Sequence, residues 1–194
     1  SNGILVRDRV ALESSRKLDI FVFDKTGTLT KGEFGLVGMV SAEGIDKDRV
    51  LSLAAALERD SEHPIALAIR QGAEEKALEI PDAKNFEAIK GKGVRAEVDG
   101  DRYYVSSSQF LEELDHQMDQ EIREFFTKAS KKGQTIVFLS SDAAILGAFA
   151  LADQIREVSY ETIEQLHQQG YEVAMMTGDN EAVAKAVAEE LGID

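Results

Sequence analysis

Cysteine is absent from the 194 residues, so neither a disulfide framework nor a thiolate metal site can form. Tryptophan is absent too, and proline occurs only twice. No apolar run reaches the ~18–20 residues a membrane helix needs, and no leader pattern of charged, apolar and small-residue segments is present. Basic residues are outnumbered, 22 Lys and Arg against 36 Asp and Glu, for a net charge of −14. Such a chain repels nucleic-acid backbones and anionic membrane surfaces, which makes both poor partners. It also repels polyphosphates at long range, so a polyphosphate site must be locally positive or use a divalent cation. The three histidines, His63, His116 and His167, are too scattered for a zinc or copper site; the last two read as solvated surface residues. The leading Ser1-Asn2 reads as a remnant of tag cleavage.

What is present is concentrated in Asp24-Lys25-Thr26-Gly27-Thr28-Leu29-Thr30, directly after Ile20-Phe21-Val22-Phe23. An unbroken apolar run of this kind predicts a parallel strand buried on both faces. A carboxylate at its carboxyl end stands where open α/β sheets hold their ligands. Gly27 permits the sharp turn that leaves Asp24 uncovered, and Lys25, Thr26 and Thr28 add a cation and two hydroxyls. That set equips a carboxylate to attack a phosphoryl group and hold it.

The chain divides by pattern. Near Asp153, helical spacing of Ile155, Val158, Ile163 and Leu166 is followed by Gly170, the strand-like Val173-Ala174-Met175-Met176 and the turn Thr177-Gly178-Asp179-Asn180. A last helix carries Val183, Ala186, Val187 and Leu191. Helix, strand, turn and helix give the rhythm of a doubly wound parallel sheet. Between the two pieces, strands are expected over Phe34–Val40, Gly93–Val98, Arg102–Val105, Thr135–Leu139 and Ala144–Leu151. Asp99-Gly100 fits a hairpin turn. Helices are expected after Asp48, taken as the N-cap, after His63-Pro64, and near 108–115 and 117–131. The fold class is thus α/β, with an α+β insert of antiparallel sheet and flanking helices at 36–151 inside an outer domain of 1–35 and 152–194.

Three further motifs carry chemistry. Ser61-Glu62-His63-Pro64 places a histidine at a helix N-terminus, where the neutral imidazole is favoured. Gly91-Lys92-Gly93 lacks the third glycine of a dinucleotide fingerprint. Thr177-Gly178-Asp179 follows a strand and opens a helix, a ready phosphate site.

Together these segments resemble heavy-metal P-type ATPases, ion pumps that work through an aspartyl-phosphate. The seven residues from Asp24 are similar to their phosphorylation motif, and Ser61 to Pro64, followed by Ile65-Ala66, to their nucleotide signature. The resemblance implies a HAD-like phosphorylation domain with an inserted nucleotide-binding domain, and ATP and Mg²⁺ as ligands. It assigns Asp24, Lys25, Thr26, Thr28, Thr177, Gly178 and Asp179 to phosphoryl transfer, with Asp24 and Thr26 toward Mg²⁺. Glu58, Ser61, Glu62, His63, Pro64, Gly91 and Gly93 fall to the nucleotide, Glu58 beside the adenine amine. Asp153-Gln154-Ile155-Arg156 resembles the family's hinge.

Thr26 stands two positions after the nucleophile, where related phosphatases carry an aspartate. Threonine activates water poorly, so a phosphoaspartate would persist, which suits a pump. A stand-alone phosphatase or phosphotransferase, and a non-catalytic nucleotide-binding module, are the alternatives. Ser106-Ser107 replaces the Gly-Asn pair of many copper pumps, a departure that points to copper or silver exporters with altered membrane motifs. The family's Gly-Asp-Gly-x-Asn-Asp segment is not matched, nor are membrane helices or an actuator domain. The expected picture is a soluble, cytoplasmic part of a membrane pump whose transported metal ion binds elsewhere. Its phosphorylation domain is truncated, and alone it would bind ATP without turning it over.

Overall fold

The computed structural model describes residues 18–194. The leading Ser1-Asn2 and the rest of 1–17, assigned above to the outer domain, lie outside the described residues. Two sheets form among the described residues. Strands β1 (Ile20–Asp24) and β8 (Glu172–Met176) make a parallel pair, and six strands make an antiparallel sheet of order β2-β7-β6-β5-β4-β3. The six are β2 (Thr30–Ser41), β3 (Lys84–Ile89), β4 (Gly93–Val98), β5 (Asp101–Ser106), β6 (Thr135–Ser141) and β7 (Ile145–Ile155).

Helices α1 (Lys47–Leu57) and α2 (Pro64–Glu75) cover one face of the larger sheet, and α3 (Ser108–Glu113) and α4 (Gln120–Lys131) cover the other. Period-two alternation divides the strands between them. Val137 and Leu139 of β6 pack in the α1–α2 core, while Ile136 and Phe138 pack with Leu111 and Ile122. Every residue of α1 from Val50 to Leu57 is buried. Asp46, not Asp48, caps this helix, accepting from the Arg49 N–H at 2.9 Å. Both aspartates could serve by composition, and the chain turns two residues earlier than expected. Asp99 and Gly100 take positive φ in the expected β4–β5 hairpin.

Among the described residues, the parallel pair is packed from one side. Helices α5 (Glu157–Gln168) and α6 (Glu181–Leu191) bury Ile163 and Leu191 against Val173 and Phe23. Ile20 and Val22 on the opposite face are 46% and 59% exposed. The expectation of a strand buried on both faces is therefore corrected: apolar side chains fill both sides of β1, but the described helices cover one. Ile155 also departs from expectation. It ends β7, and Val158 is exposed, so the inward face of α5 rests on Ile163 and Leu166.

β2 and β7 run side by side through positions 36 and 151, with Leu36 opposite Leu151. The ladder is irregular between Thr30 and Phe34, where it approaches the parallel pair.

Candidate phosphoryl-transfer and nucleotide sites

Parallel pairing sets Asp24 opposite Met176, so Asp24 and Thr177 leave the carboxyl ends of neighbouring strands. Asp24 is exposed there. The chain then turns through Lys25–Leu29, and Gly27 at φ +78° supplies the left-handed residue that the turn requires. Thr26, Gly27 and Thr28 are exposed, whereas Leu29 is buried in the α5–α6 core.

Lys25 points inward and is 4% exposed. Its ammonium lies 2.8 Å from Asp179 Oδ2 and 3.4 Å from Asp153 Oδ2. Burial works to lower the Lys25 pKa, but the hydrogen bond and charge of Asp179, with those of Asp153, outweigh it and the net shift is upward. The bond from Lys25 holds the Asp179 carboxyl below its ordinary range, against a smaller opposing effect of burial. Lysine and aspartate are thus both charged at neutral pH. The Asp179 N–H donates to Thr177 Oγ1 at 3.1 Å, and Asn180 caps α6 by accepting from the Val183 N–H. Thr177, Gly178 and Asp179 accordingly form the turn that was expected.

Three residues fasten the Lys25–Thr30 turn from the β7–α5 side. Asp153 accepts from the Thr30 hydroxyl at 2.5 Å and from the Gly32 N–H at 2.9 Å. Arg156 donates to the carbonyls of Thr30 and Gly27 at 2.9 and 3.2 Å. Buried Ser159 donates to the Leu29 carbonyl at 2.8 Å. Asp153 and Arg156 lie in the hinge-like segment read from sequence, but their grip on the turn was not foreseen, and Ser159 gave no signal. A cleft of about 290 Å³ opens here, lined in part by Lys25, Thr26, Phe34, Asp153 and Asp179. It sits at the low end of small-molecule sites, roughly 300–1,000 Å³, and suits phosphate groups better than a whole nucleotide.

The second group of residues lies on the larger sheet and its helices. Glu58 is the C-cap of α1 and is 6% exposed. Burial pushes its carboxyl up to about 7, against the lowering effects of the Ser61 hydroxyl and the Arg70 charge. Glu62, His63 and Pro64 are exposed at the start of α2. His63 Nδ1 accepts from the Ile65 N–H at 3.3 Å, so the ring caps the helix as well as facing solvent.

Gly91 and Gly93 flank the β3–β4 turn, and β3 itself was not expected. Gly93 has a reason that sequence did not reveal. It pairs with Ser106, and a Cβ there would overlap the Val105 carbonyl oxygen. Ser106 and Ser107 are thereby neighbours of the glycine turn, and the Ser107 N–H donates to the Lys92 carbonyl at 3.2 Å. Lys92 itself pairs with Glu113, so its charge is partly neutralised. His116 is half-buried, with Nε2 3.3 Å from the Asp142 carbonyl, and His167 lies 3.1 Å from Asp194. Neither is the plain solvated residue expected.

Among the described residues no group of three or more His, Cys, Asp or Glu could hold a metal ion. No described helix is long and apolar enough to cross a membrane.

An exposed carboxylate at a strand end, a strand-end threonine on the neighbouring strand and a buried lysine suit phosphoryl transfer. The pattern of the haloacid dehalogenase-like hydrolases matches residues 18–194, and the chain belongs to that family. Within it, the chain matches heavy-metal P-type ATPases over its whole length. It is 44% identical to the copper-exporting P-type ATPase B of Archaeoglobus fulgidus, covering 100% of this chain and 27% of the relative. It is 42% identical to a copper-transporting P-type ATPase of Rhizobium leguminosarum, over 99% and 23%. A silver exporting P-type ATPase of Salmonella typhimurium is 33% identical over 99% and 23%. The chain thus spans about a quarter of the curated relatives it matches. Among solved structures, that of a zinc-transporting PIB-type ATPase superposes with TM-score 0.81 at 34% identity, over 91% of this chain and 28% of that one. The N-domain of HMA8, a copper-transporting P-type ATPase, gives 0.52 at 28%, over 61% and 99%.

Proposed function

We propose that this chain is the ATP-binding and phosphoryl-accepting region of a heavy-metal pump, with copper or silver as the exported ion. The observation that carries the reading is the placement of Asp24. Its carboxylate stands exposed at the end of β1, next to the end of β8, and is followed by a lysine that two other carboxylates hold in place. Residues 36–151 serve as the nucleotide-binding part, and the rest of the chain as the phosphoryl-accepting part. The membrane helices and actuator domain of the parent pump are its partners, and the transported ion binds outside this region.

Asp24 attacks the γ-phosphoryl group in line, the bond to the β-phosphate oxygen breaks, and an aspartyl-phosphate forms. Lys25 and Thr177 support the charge on the transferred oxygens. Thr26 offers no carboxylate to activate water, so the acyl phosphate persists until another part of the pump hydrolyses it. Asp24 and Thr26 supply a partial donor set that fits Mg²⁺, which retains water and phosphate ligands and needs one or two protein carboxylates. When bound, the ion neutralises phosphate charge.

The test is acid-stable, hydroxylamine-sensitive labelling of the full-length protein with γ-labelled ATP. Labelling of wild type and its loss in Asp24→Asn support the reading; a label retained in Asp24→Asn rejects it. Turnover of small phosphate esters at high rate would favour the stand-alone phosphatase instead.

A further inference from the structure

α1 ends at Leu57 and α2 begins at Pro64, and the turn between them carries Glu58, Ser61 and His63. A helix end leaves its last carbonyls without intrahelical partners. Here a side chain from the next helix serves this turn. Arg70 Nη1 lies 2.5 Å from the Glu58 carbonyl, 3.0 Å from that of Arg59 and 2.7 Å from that of Ser61. One nitrogen has two protons for three acceptors, so one N–H is shared, as is common at helix ends. Arg70 follows His63 by two helical turns and so lies on the same face of α2. Arginine suits this place because its charge is permanent and its fork is planar, and lysine would not match it.

We infer that Arg70 is a positioning residue for the adenine site: it fixes the turn that presents Glu58 and His63 and sets positive charge against the buried Glu58 carboxyl. This rests on the nucleotide reading given above. Two observations converge on it. The three carbonyl bonds define the shape of the turn, and the Arg70 charge opposes the burial that pushes Glu58 toward its neutral form. The other groups acting on the Glu58 carboxyl are few. Ser61 offers its hydroxyl, and the strands packed on α1 contribute apolar Val94, Ala96, Val105 and Leu151. Of the same turn, Arg59, Asp60, Glu62 and His63 are exposed. With Arg70 removed, the turn relaxes and the carboxyl takes up its proton at higher pH.

The experiment uses the 194-residue chain, with Arg70→Met and Arg70→Lys beside wild type. ATP affinity is measured by calorimetry from about pH 6 to 8.5, and the Glu58 carboxyl is titrated by carbon-detected NMR without ligand. Arg70→Met should bind ATP at least tenfold more weakly at neutral pH, and its Glu58 midpoint should rise. Arg70→Lys should keep the midpoint near that of wild type and recover part of the affinity, and it decides the matter if Arg70→Met does not fold. A folded Arg70→Met with wild-type affinity and midpoint would overturn the assignment, even if it were less stable, because Arg70 would then only tie α1 to α2. Wild type that fails to bind ATP at millimolar concentration would overturn the nucleotide reading and this role together. The ligand-free titration would still report whether Arg70 acts on Glu58.

Discussion

Lys25 and Asp179 meet at 2.8 Å, one from the turn after β1 and the other from the turn after β8, with Asp153 also within reach of the ammonium. The contact joins two segments far apart in sequence and fixes the spacing of the strand ends between which a phosphoryl group would sit. Lysine here neutralises two carboxylates that would otherwise repel each other.

Lys25→Met should therefore harm the fold as well as the chemistry. It leaves two nearby carboxylates without their cation. Breaking a buried pair costs roughly 3–5 kcal/mol, and the partial exposure of Asp179 reduces that to about 2 kcal/mol. Urea unfolding of the 194-residue chain should show this loss. Lys25→Met/Asp179→Asn should recover part of it; a double variant no better than the single one would show that the pair is not the cause.

Glu58 makes stability depend on pH. Its carboxyl titrates at about 7 in the folded chain, against an ordinary value of 4.5. Between those values the folded state keeps a proton that the unfolded state releases, so stability falls as pH rises through this window and the loss is complete above about 7. The difference amounts to about 3 kcal/mol at most. Glu58→Gln should remove this component and gain stability relative to wild type at about pH 8. Parallel stability profiles for the two proteins from about pH 4.5 to 8 would contradict the burial of a protonated carboxyl.

Ser159 fastens the Lys25–Thr30 turn through the Leu29 carbonyl, and both residues are buried. Ser159→Ala leaves that carbonyl without its side-chain donor and should cost about 1–2 kcal/mol. In the full-length protein, phosphoenzyme formation should slow before ATP affinity changes. An equal loss in both would place the effect in the general fold.

His63 caps α2, and one substitution separates that role from the proposed adenine contact. Asparagine caps a helix as well as histidine does or better, so His63→Asn should keep stability within about 0.5 kcal/mol. If the ring orients adenine, ATP affinity should fall roughly tenfold, about 1.4 kcal/mol. Unchanged affinity by calorimetry would leave His63 as a cap alone.

Turns were more legible in the sequence than packing. The turn from Asp24 to Thr30 and the Thr177–Asp179 turn lie where expected, because an apolar strand followed by a glycine among small polar residues leaves the chain few options. The Asp99-Gly100 hairpin is legible for the same reason. Ile20-Phe21-Val22-Phe23 reads alike whether one face or both are covered, so its exposed side could not be foreseen. β3 was hidden because Lys84-Asn85-Phe86-Glu87-Ala88-Ile89 is largely exposed and kinks at Asn85, which has φ +55°. The grip of Asp153, Arg156 and Ser159 on the Lys25–Thr30 turn, and that of Arg70 on the α1–α2 turn, depend on distances in space that no local spacing encodes.

The side-by-side course of β2 and β7 has a consequence for how such a chain can be assembled and altered. The segment between them leaves and returns through hydrogen-bonded neighbours, Leu36 opposite Leu151. Its two ends are already together, so excising it and joining the stumps closes a gap of about one strand spacing, ~5 Å. A different module grafted at the same pair of positions would meet the same small closure cost. The two outer pieces can thus act as a socket that exchanges the segment between them while Asp24, Lys25 and Asp179 stay where they are.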